Sequence, residues 1–338
     1  MTDRADVGGD ALLEVRGLTV TYRLRGGRVL HAVRGLDLSV GAGQVVALVG
    51  ESGSGKSSAV RGIMQLVRPS AGEVWFAGRD LCRLRGRELR RARRGMQMVF
   101  QDPFSSLDPA MTVGEIIAEP LVAHTDHRRA ERRRLAVEML ELVGLQPAHA
   151  DRYPHEFSGG QRQRIAIARA LVRRPELLVA DEAVSALDVS TQNQVLTLLR
   201  RLISELGVAC LFITHDLAVV RNIADRVVVL YLGTMVEEGP VDAVLGEPRH
   251  PYTRALLSAA PIADPVVQRS RARIRLAGEL PDPTDPPAGC VFSSRCPEVT
   301  DHCRTATPVL RPSGPDARAA CHLLDPAVAR EGGPAAVS

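Results

Sequence analysis

A glycine-rich segment that directly follows an apolar strand pattern constrains this chain more than any other feature. Residues 50–57 read Gly-Glu-Ser-Gly-Ser-Gly-Lys-Ser, which fits the phosphate-loop pattern GxxxxGK followed by Ser or Thr. Residues 44–49 before it predict a buried strand, and a helical pattern begins near Lys56 and runs toward Val67. Strand, loop and helix in this order point backbone N–H groups at phosphate oxygens. The sequence therefore predicts a nucleotide-binding α/β fold.

Within this loop, the candidate nucleotide-binding residues are Gly50, Ser52, Gly53, Ser54, Gly55, Lys56, Ser57 and Ser58. Lys56 is the only lysine among 43 lysine and arginine residues, in a chain that otherwise uses arginine. A compact ammonium group fits against phosphate oxygens where a planar guanidinium does not. We expect Lys56 to neutralise the β/γ-phosphates of ATP and the Ser57 hydroxyl to bind Mg²⁺.

The remaining periodicity places strands and helices in an alternating order. Short apolar segments before the loop predict strands, several of them antiparallel, and residues of about 112–175 are mostly helical in pattern. Buried-strand patterns at 177–181 and 210–216 flank a helical segment, which indicates a parallel sheet with crossover helices. Residues 226–239 predict a closing hairpin.

Two carboxylates follow the first of these buried strands. Asp181 and Glu182 end the segment LLVADE, at the carboxyl edge of the predicted sheet, where open parallel sheets bind ligands. Asp181 is expected to hold Mg²⁺ through water, and Glu182 to orient and deprotonate the attacking water. The alternative is an acidic pair that caps a helix.

The segment Phe157-Ser158-Gly159-Gly160-Gln161, followed by RQRIAIARAL, resembles the signature motif of ABC ATPases. The resemblance implies a RecA-like ATPase core with an N-terminal antiparallel β-subdomain and an inserted α-helical subdomain. In that family two subunits pair head to tail. Ser158 to Gln161 would then contact the γ-phosphate of ATP bound to the other subunit's phosphate loop.

Further positions follow from the same resemblance. Gln101 matches the glutamine that contacts Mg²⁺ and the water, and Asp188 in SALD matches the loop that crosses the dimer. His215 in FITHD matches the histidine that holds the γ-phosphate, although an isolated histidine is more often structural. Tyr22 matches the aromatic residue that stacks on adenine, with a core tyrosine as the alternative.

Ala183 departs from the family pattern, because many members have proline after the catalytic glutamate. Alanine keeps the neighbouring carboxylate but makes the turn less rigid. We expect slower hydrolysis rather than its loss.

The C-terminal part resembles one branch of the family. His250-Pro251-Tyr252-Thr253-Arg254-Ala255-Leu256-Leu257, followed by a proline-rich segment, is similar to the extension of oligopeptide, dipeptide and nickel importers. Other segments resemble the second of the two ATPase subunits in such systems. The resemblance implies a paralogous ATPase partner, two membrane permeases and an extracellular solute-binding protein, with a homodimer as the alternative to the heterodimer.

We expect the transported solute to be a peptide, with nickel or another solute as the alternative. The competing protein class is a soluble ABC ATPase that takes no part in transport. Such soluble ATPases tend to carry tandem modules or long coiled coils, and this chain has one module. Nucleic acid is not an expected partner, because the seven arginines of residues 83–94 lack interleaved aromatic residues and predict a solvated helical face.

The six cysteines form two groups. Cys82 and Cys210 are isolated and are expected to be inert, whereas Cys290, Cys296, Cys303 and Cys321 cluster near the C-terminus. A metal site explains the cluster better than disulfides in a cytosolic protein. The family resemblance favours a 4Fe–4S cluster over Zn²⁺, and four thiols without metal are the remaining alternative.

These patterns divide the chain into expected domains. The ATPase domain is expected at 12–245, with its helical subdomain at about 102–175, and the cysteine-containing extension at 246–325. Residues 1–11 and 326–338 are expected to be disordered. No apolar run approaches the length of a membrane span, and no signal peptide is evident, so we expect a peripheral protein on the cytoplasmic face of the membrane.

Overall fold

The computed structural model describes residues 11–102, 106–259, 274–276 and 278–325. The two terminal segments predicted to be disordered lie outside this part of the chain, except for Ala11, where the first strand begins. The chain divides into two compact units. The first comprises Met1–Val15, Ser39–Val45 and Val74–Phe212, and the second Arg16–Leu38, Val46–Glu73 and Ile213–Ser338.

Strands in the described residues alternate with helices along the middle of the chain. The strands are β1 (Ala11–Arg23), β2 (Val29–Gly41), β3 (Val45–Val49), β4 (Ala71–Phe76), β5 (Arg79–Asp80), β6 (Met96–Val99), β7 (Leu177–Asp181), β8 (Ala209–Thr214), β9 (Arg226–Tyr231), β10 (Thr234–Pro240), β11 (Arg311–Gly314) and β12 (Ala317–Ala319). The helices are α1 (Lys56–Ile63), α2 (Gly86–Arg93), α3 (Val113–His124), α4 (Arg129–Leu142), α5 (Gly159–Leu171), α6 (Val189–Leu206), α7 (Leu217–Ile223), α8 (Val241–Gly246), α9 (Pro251–Ala259) and α10 (Asp301–Thr305).

In the second unit, a five-strand stretch of sheet runs in the order β11-β12-β10-β9-β3. β3 pairs with β9 in parallel, with Val46 opposite Arg226 and Val49 opposite Val229. Every residue of β3 is buried, as expected for a strand covered on both faces. β9 and β10 form the predicted hairpin, in which Thr234 lies opposite Tyr231. The parts of β2, β1 and β4 that belong to this unit are neighbours in that order.

In the first unit, β8, β7 and β6 are neighbours in that order, and β6 and β7 pair in parallel. β7 is buried up to Ala180, and its last residue, Asp181, reaches partial exposure at the carboxyl edge. Helices α3, α4 and α5 supply apolar faces that include the buried Ile117, Leu140 and Ile165. These parallel pairs, joined through helices, confirm the α/β fold class predicted from the sequence.

Helix α1 is shorter than its sequence pattern predicts, whereas the arginine-rich segment is exposed as predicted. The helix after the phosphate loop was expected to run toward Val67, but α1 ends at Ile63, and Gln65 has a left-handed backbone with φ of 55°. A non-glycine residue in that region cannot continue a helix. The arginine-rich segment forms α2, which contains no buried residue, so the expected solvated face is confirmed. No helix in the described ranges is long and apolar enough to cross a membrane.

Candidate functional site

The phosphate loop connects β3 to α1 in the second unit. Gly55 caps α1 with a left-handed backbone, φ 104°, and a Cβ atom there would lie 2.2 Å from the Ala32 carbonyl oxygen. Only glycine fits at such a position. The loop residues Ser52, Gly53 and Ser57 are exposed, so the first turn of α1 presents its N–H groups to solvent, where an anion can bind.

Lys56 lies inside this loop. Its side chain is buried, and Nζ donates to the carbonyl oxygens of Gly50 at 2.7 Å and Glu51 at 2.9 Å. Two backbone oxygens on one ammonium group fix its position at the start of α1. The geometry agrees with the predicted need for a compact cation, because a guanidinium would not fit between these carbonyls.

The hydroxyl groups around the loop differ in exposure. Ser54 is fully buried, and its Oγ makes no hydrogen bond within the part of the chain that the structure describes. Ser57, the predicted Mg²⁺ ligand, is exposed in the first turn of α1. A serine hydroxyl beside a row of amide donors suits a hard cation that arrives with the phosphates. The half-buried Tyr22 donates from its hydroxyl to Ser58 Oγ at 3.4 Å, and its stacking on adenine stays a prediction.

Contacts that the sequence analysis missed hold Glu51, the second residue of the loop. Its backbone N–H donates to the Tyr252 hydroxyl at 2.8 Å, and its carboxylate accepts from the Arg295 guanidinium at 2.8 Å. Tyr252 belongs to the HPYT segment (residues 250–253) and lies 201 residues after Glu51 in the chain. Arg295 belongs to the cysteine segment (residues 290–321) and lies 244 residues after Glu51. No local sequence pattern signals such a contact.

In the first unit, Gln101 and Glu182 meet. Gln101 Nε2 donates to Glu182 Oε2 at 3.0 Å, so two residues predicted independently are brought together. Glu182 has a left-handed backbone, φ 46°, directly after β7, and Ala183 behind it is buried. A non-glycine residue in this conformation is strained, which is a common property of functional turns.

The signature segment forms the start of α5, also in the first unit. Ser158 Oγ accepts from Gln161 N at 3.3 Å, and the Gln161 side chain accepts from Ser158 N at 3.0 Å. This reciprocal pair is a capping box. A Cβ atom on Gly160 would lie 2.3 Å from Thr191 Cγ2, so a larger residue there would force the Thr191 side chain to shift. Ser158 is exposed and Gly159 half-buried at the positive end of a helix, where an anion is favoured.

Asp188 caps α6 in the same unit. Its carboxylate accepts from Thr191 N at 3.0 Å and from Ser190 N at 3.1 Å. These bonds, the one from the Thr191 backbone first, lower the pKa of Asp188 to about 2. Ser185 Oγ donates to the Glu182 carbonyl oxygen at 3.0 Å, so the start of the SALD turn is tied to Glu182, three residues earlier. The predicted contact of Asp188 with nucleotide across a dimer stays a prediction.

His215 lies in the second unit, immediately after β8 ends at Thr214, and it is exposed. The next residue, Asp216, caps α7 by accepting from Ala218 N at 2.8 Å. Strand-end position and exposure are what a residue that contacts a phosphate needs. Asp181, half-buried at the end of β7, occupies the equivalent position in the first unit.

The four C-terminal cysteines converge in the second unit. Cys290, Cys303 and Cys321 are buried, Cys296 is half-buried, and all are free thiols. Burial, with smaller contributions from the other thiols of the cluster, raises the pKa of Cys321 to about 12 and that of Cys296 to about 11. Nevertheless, no group of three His, Cys, Asp or Glu side chains among the described residues is placed to hold a metal ion. The side chains as they stand do not fit a metal centre.

Cys82 and Cys210, the two cysteines outside this cluster, are also free thiols. Cys210 is fully buried in β8, and burial raises its pKa to about 12. A protonated thiol that solvent does not reach is unreactive, which agrees with the inert role expected of it.

Two family profiles match this chain. The profile described as "ABC transporter" matches residues 33–185, and the one described as "Oligopeptide/dipeptide transporter, C-terminal region" matches residues 236–303. The first covers the phosphate loop and the signature segment. The second covers the HPYT segment and the first three clustered cysteines.

Curated relatives match over nearly their full length. The "Probable peptide ABC transporter ATP-binding protein" of Sinorhizobium fredii is 50% identical over 336 residues, covering 97% of this chain and 94% of the relative. The "Oligopeptide transport ATP-binding protein OppF" of Escherichia coli K12 is 48% identical over 315 residues, covering 90% and 94% respectively.

Solved structures match the ATPase part. An ATP-binding cassette dimer in a post-hydrolysis state with ADP and Pi has a TM-score of 0.62 and 33% identity, and covers 68% of this chain and 98% of that one. The cbiO1 protein of Clostridium perfringens, part of an ABC transporter complex, has a TM-score of 0.63 and 28% identity, covering 71% and 92% respectively.

Proposed function

Because this chain belongs to the ABC transporter family of ATP-binding proteins, we propose that it is the subunit that binds and hydrolyses ATP to drive peptide import. The observation that carries this proposal is the phosphate loop in its strand–loop–helix setting, with Lys56 buried against the Gly50 and Glu51 carbonyl oxygens. The peptide assignment rests on the C-terminal region, which shares its family profile with oligopeptide and dipeptide transporters.

The phosphate loop provides the binding half of the mechanism. Amide groups at the start of α1 and the Lys56 ammonium group bind the phosphate oxygens, while Tyr22 stacks on the adenine ring. Ser57, Asp181 and Gln101 would hold Mg²⁺, which would neutralise charge that develops on the β- and γ-phosphates.

Glu182 provides the catalytic half. Its carboxylate orients the attacking water and accepts its proton, and the 3.0 Å hydrogen bond from Gln101 fixes the direction of the carboxylate. His215 binds the γ-phosphate from its exposed position after β8. Phosphoryl transfer depends mainly on positioning and charge neutralisation, which these side chains supply.

A second ATPase subunit completes each site. Ser158, Gly159, Gly160 and Gln161 at the start of α5 contact the γ-phosphate of ATP on the partner, and Asp188 crosses the same interface. The solved cassette dimer with ADP and Pi supports an assembly of this type. We propose a heterodimer with a paralogous ATPase, bound at the cytoplasmic face of the membrane to two permeases that receive solute from an extracellular binding protein.

The proposed domain division is an ATPase domain at 12–245, with a helical subdomain at about 102–175, and an extension at 246–325. Helices α3, α4 and α5 support the subdomain, since they follow one another without an intervening strand. The match to the C-terminal transporter profile from residue 236 supports the extension.

For the cysteine cluster, a 4Fe–4S cluster, with Zn²⁺ as the alternative, remains the finer part of the proposal. The four thiols lie near one another in a segment with few strands and helices, which supports this assignment. No group of side chains among the described residues is arranged to hold a metal ion, which counts against it. Anaerobic purification followed by iron, sulfide and zinc analysis decides it. Protein that contains none of the three contradicts the assignment.

The function itself is tested by purifying the full chain with its membrane partners and binding protein. We expect two permeases to copurify, ATP hydrolysis to rise when the binding protein carries its solute, and mass spectrometry to identify that solute as a peptide. Recovery without any membrane protein would favour a soluble ATPase. Nickel or a sugar in the binding protein would contradict the peptide assignment.

A further inference from the structure

Glu51, the second residue of the phosphate loop, contacts two distant segments of its own unit. Its carbonyl oxygen accepts from Lys56 Nζ at 2.9 Å, its N–H donates to the Tyr252 hydroxyl at 2.8 Å, and its carboxylate pairs with Arg295 at 2.8 Å. The backbone and the side chain of one residue thus join Lys56 to two residues of the C-terminal extension.

Arg295 and Glu51 form a shielded ion pair. The Arg295 side chain is 10% exposed and that of Glu51 is 30% exposed. Both terminal guanidinium nitrogens of Arg295, Nη1 and Nη2, reach the carboxylate, at 2.8 Å and 3.4 Å. A bidentate ion pair fixes the orientation of the two side chains as well as their distance, whereas a single hydrogen bond between exposed groups does not.

An aromatic cluster formed by Tyr231, Tyr252 and Phe292 holds the two supporting residues in place. The ring centroids of Tyr231 and Tyr252 are 4.7 Å apart, and Phe292 lies 5.1 Å from Tyr231 and 5.5 Å from Tyr252. The three residues come from β9, α9 and the cysteine segment. The Arg295 guanidinium lies 5.9 Å from the centre of the Tyr231 ring, so the cluster carries both contacts to Glu51.

The cysteine segment forms the turn that presents Arg295. Cys290 N donates to the Cys303 carbonyl oxygen at 2.8 Å, Ser293 N to that of Cys290 at 2.9 Å, and Arg295 N to that of Phe292 at 3.0 Å. Two overlapping turns, each closed by a backbone hydrogen bond, therefore lead from Cys290 to Arg295.

Backbone hydrogen bonds and rings that are packed together transmit position better than flexible side chains do. We propose that Tyr252 and Arg295 are positioning residues for ATP binding, and that they act through Glu51 on the placement of Lys56. The inference rests on the ATP-binding role proposed above. The extension is then part of the nucleotide site, because it fixes the Glu51 carbonyl oxygen, which in turn holds the Lys56 ammonium group. Neither residue touches the nucleotide itself.

The test measures dissociation constants of the full chain for ATP, ADP and AMP with Mg²⁺. In Tyr252→Phe the ring remains in its cluster and only the hydroxyl is lost, while Arg295→Met keeps the length of the side chain and removes its charge. We expect each change to weaken ATP binding about tenfold, the scale at which residues that act through a network alter a site. The loss should be smaller for ADP and smallest for AMP, because Lys56 acts on the β- and γ-phosphates.

Three further variants separate positioning from stability. Arg304→Ala, an exposed arginine in the same extension, should leave all three constants unchanged, and Arg295→Lys should recover part of the ATP affinity. In a Glu51→Gln background, Arg295→Met should add little, since both changes break the same pair. Melting temperatures without nucleotide identify any variant that is merely unfolded, and Tyr252→Phe then carries the test.

Wild-type affinity in both Tyr252→Phe and Arg295→Met overturns the inference. An equal loss for ATP, ADP and AMP overturns it too, as does a full additional loss from Arg295→Met in the Glu51→Gln background. A wild-type chain that does not bind ATP would instead remove the proposed function, so the two failures are distinguishable.

Discussion

The phosphate loop and the turn at Glu182 both follow a buried parallel strand, yet they are held in different ways. The phosphate loop is fixed through its backbone: Lys56 bonds to two carbonyl oxygens, and Gly55 leaves no room for a Cβ atom. The Glu182 turn carries a half-buried carboxylate on a strained backbone, with a side-chain hydrogen bond from Gln101. The binding loop is thus held by its backbone before ATP arrives, whereas the direction of the catalytic carboxylate depends on a side-chain hydrogen bond.

The largest effect is expected from Glu182→Gln, which keeps the shape of the turn and removes the base. Turnover should fall by about 10²–10⁴-fold, the usual contribution of a positioned general base, while ATP affinity changes little. Steady-state hydrolysis measures turnover, and ATP titration of the same preparation measures binding. Glu138→Gln, an exposed carboxylate paired with Arg134 in α4, is the matched control. Normal turnover by Glu182→Gln would refute the assigned base.

Lys56→Arg should have the opposite signature, because it disturbs binding and not the base. The charge is kept, but the buried site between two carbonyl oxygens does not accommodate a guanidinium, so we expect ATP affinity to fall about 100-fold. Isothermal titration with ATP measures this change. Arg304→Lys, a cation exchange on the exposed surface of the extension, should be silent. Retained affinity in Lys56→Arg would show that charge alone is needed.

Protonation of His250, which lies two residues before Tyr252 in the chain region that supports the phosphate loop, should make the stability of the fold depend on pH. It is buried, its Nδ1 accepts from Tyr252 N at 3.1 Å, and burial, with a smaller contribution from Arg254, lowers its pKa to about 3. Because the unfolded chain binds a proton near pH 6.5 and the folded chain does not, stability falls as the pH drops below 6.5. From pH 7 to pH 5 this contribution amounts to about 2 kcal/mol of unfolding free energy.

His250→Asn removes the titration and keeps an acceptor for Tyr252 N. Its free energy of unfolding, from denaturant titrations at both pH values, should therefore fall by about 2 kcal/mol less than that of the wild type. An equal loss in the two proteins would mean that His250 is protonated in the folded state.

The smallest effect is expected from Ala183→Pro, which makes the turn after Glu182 more rigid. Proline reduces the number of backbone conformations that compete with the native one, so turnover should rise by about two- to fivefold. Steady-state hydrolysis at saturating ATP measures it, with unchanged ATP affinity as the internal control. A decrease in turnover would indicate that the Glu182 turn has to move during the reaction.

A feature of this chain could be predicted from the sequence when neighbouring residues determine it, and could not when distant residues do. Gly55 and Lys56 were assigned correctly to the start of α1, because the loop geometry is set by neighbouring residues. Ser158 and Gln161 form a local capping box within four residues, and their position at the start of α5 follows from the sequence as well.

Contacts between distant segments could not be predicted in this way. The ends of helices depend on single backbone conformations, as at Gln65, where α1 terminates earlier than its apolar pattern indicates. The support of Glu51 by Tyr252 and Arg295 depends on side chains that meet only after β9, α9 and the cysteine segment have packed together. The pattern of the cysteines indicated that they would cluster, but not the orientation of each thiol.

The burial of Lys56 also has a practical meaning for chemical work on this protein. Since no other residue carries a side-chain amine, reagents that acylate lysine can modify just one side chain, and the loop shields it from them. The extent of acylation at Lys56 in a native sample, located by peptide mass spectrometry, therefore reports on how often the loop opens. Surface attachment and crosslinking, in turn, have to use chemistry other than that of lysine.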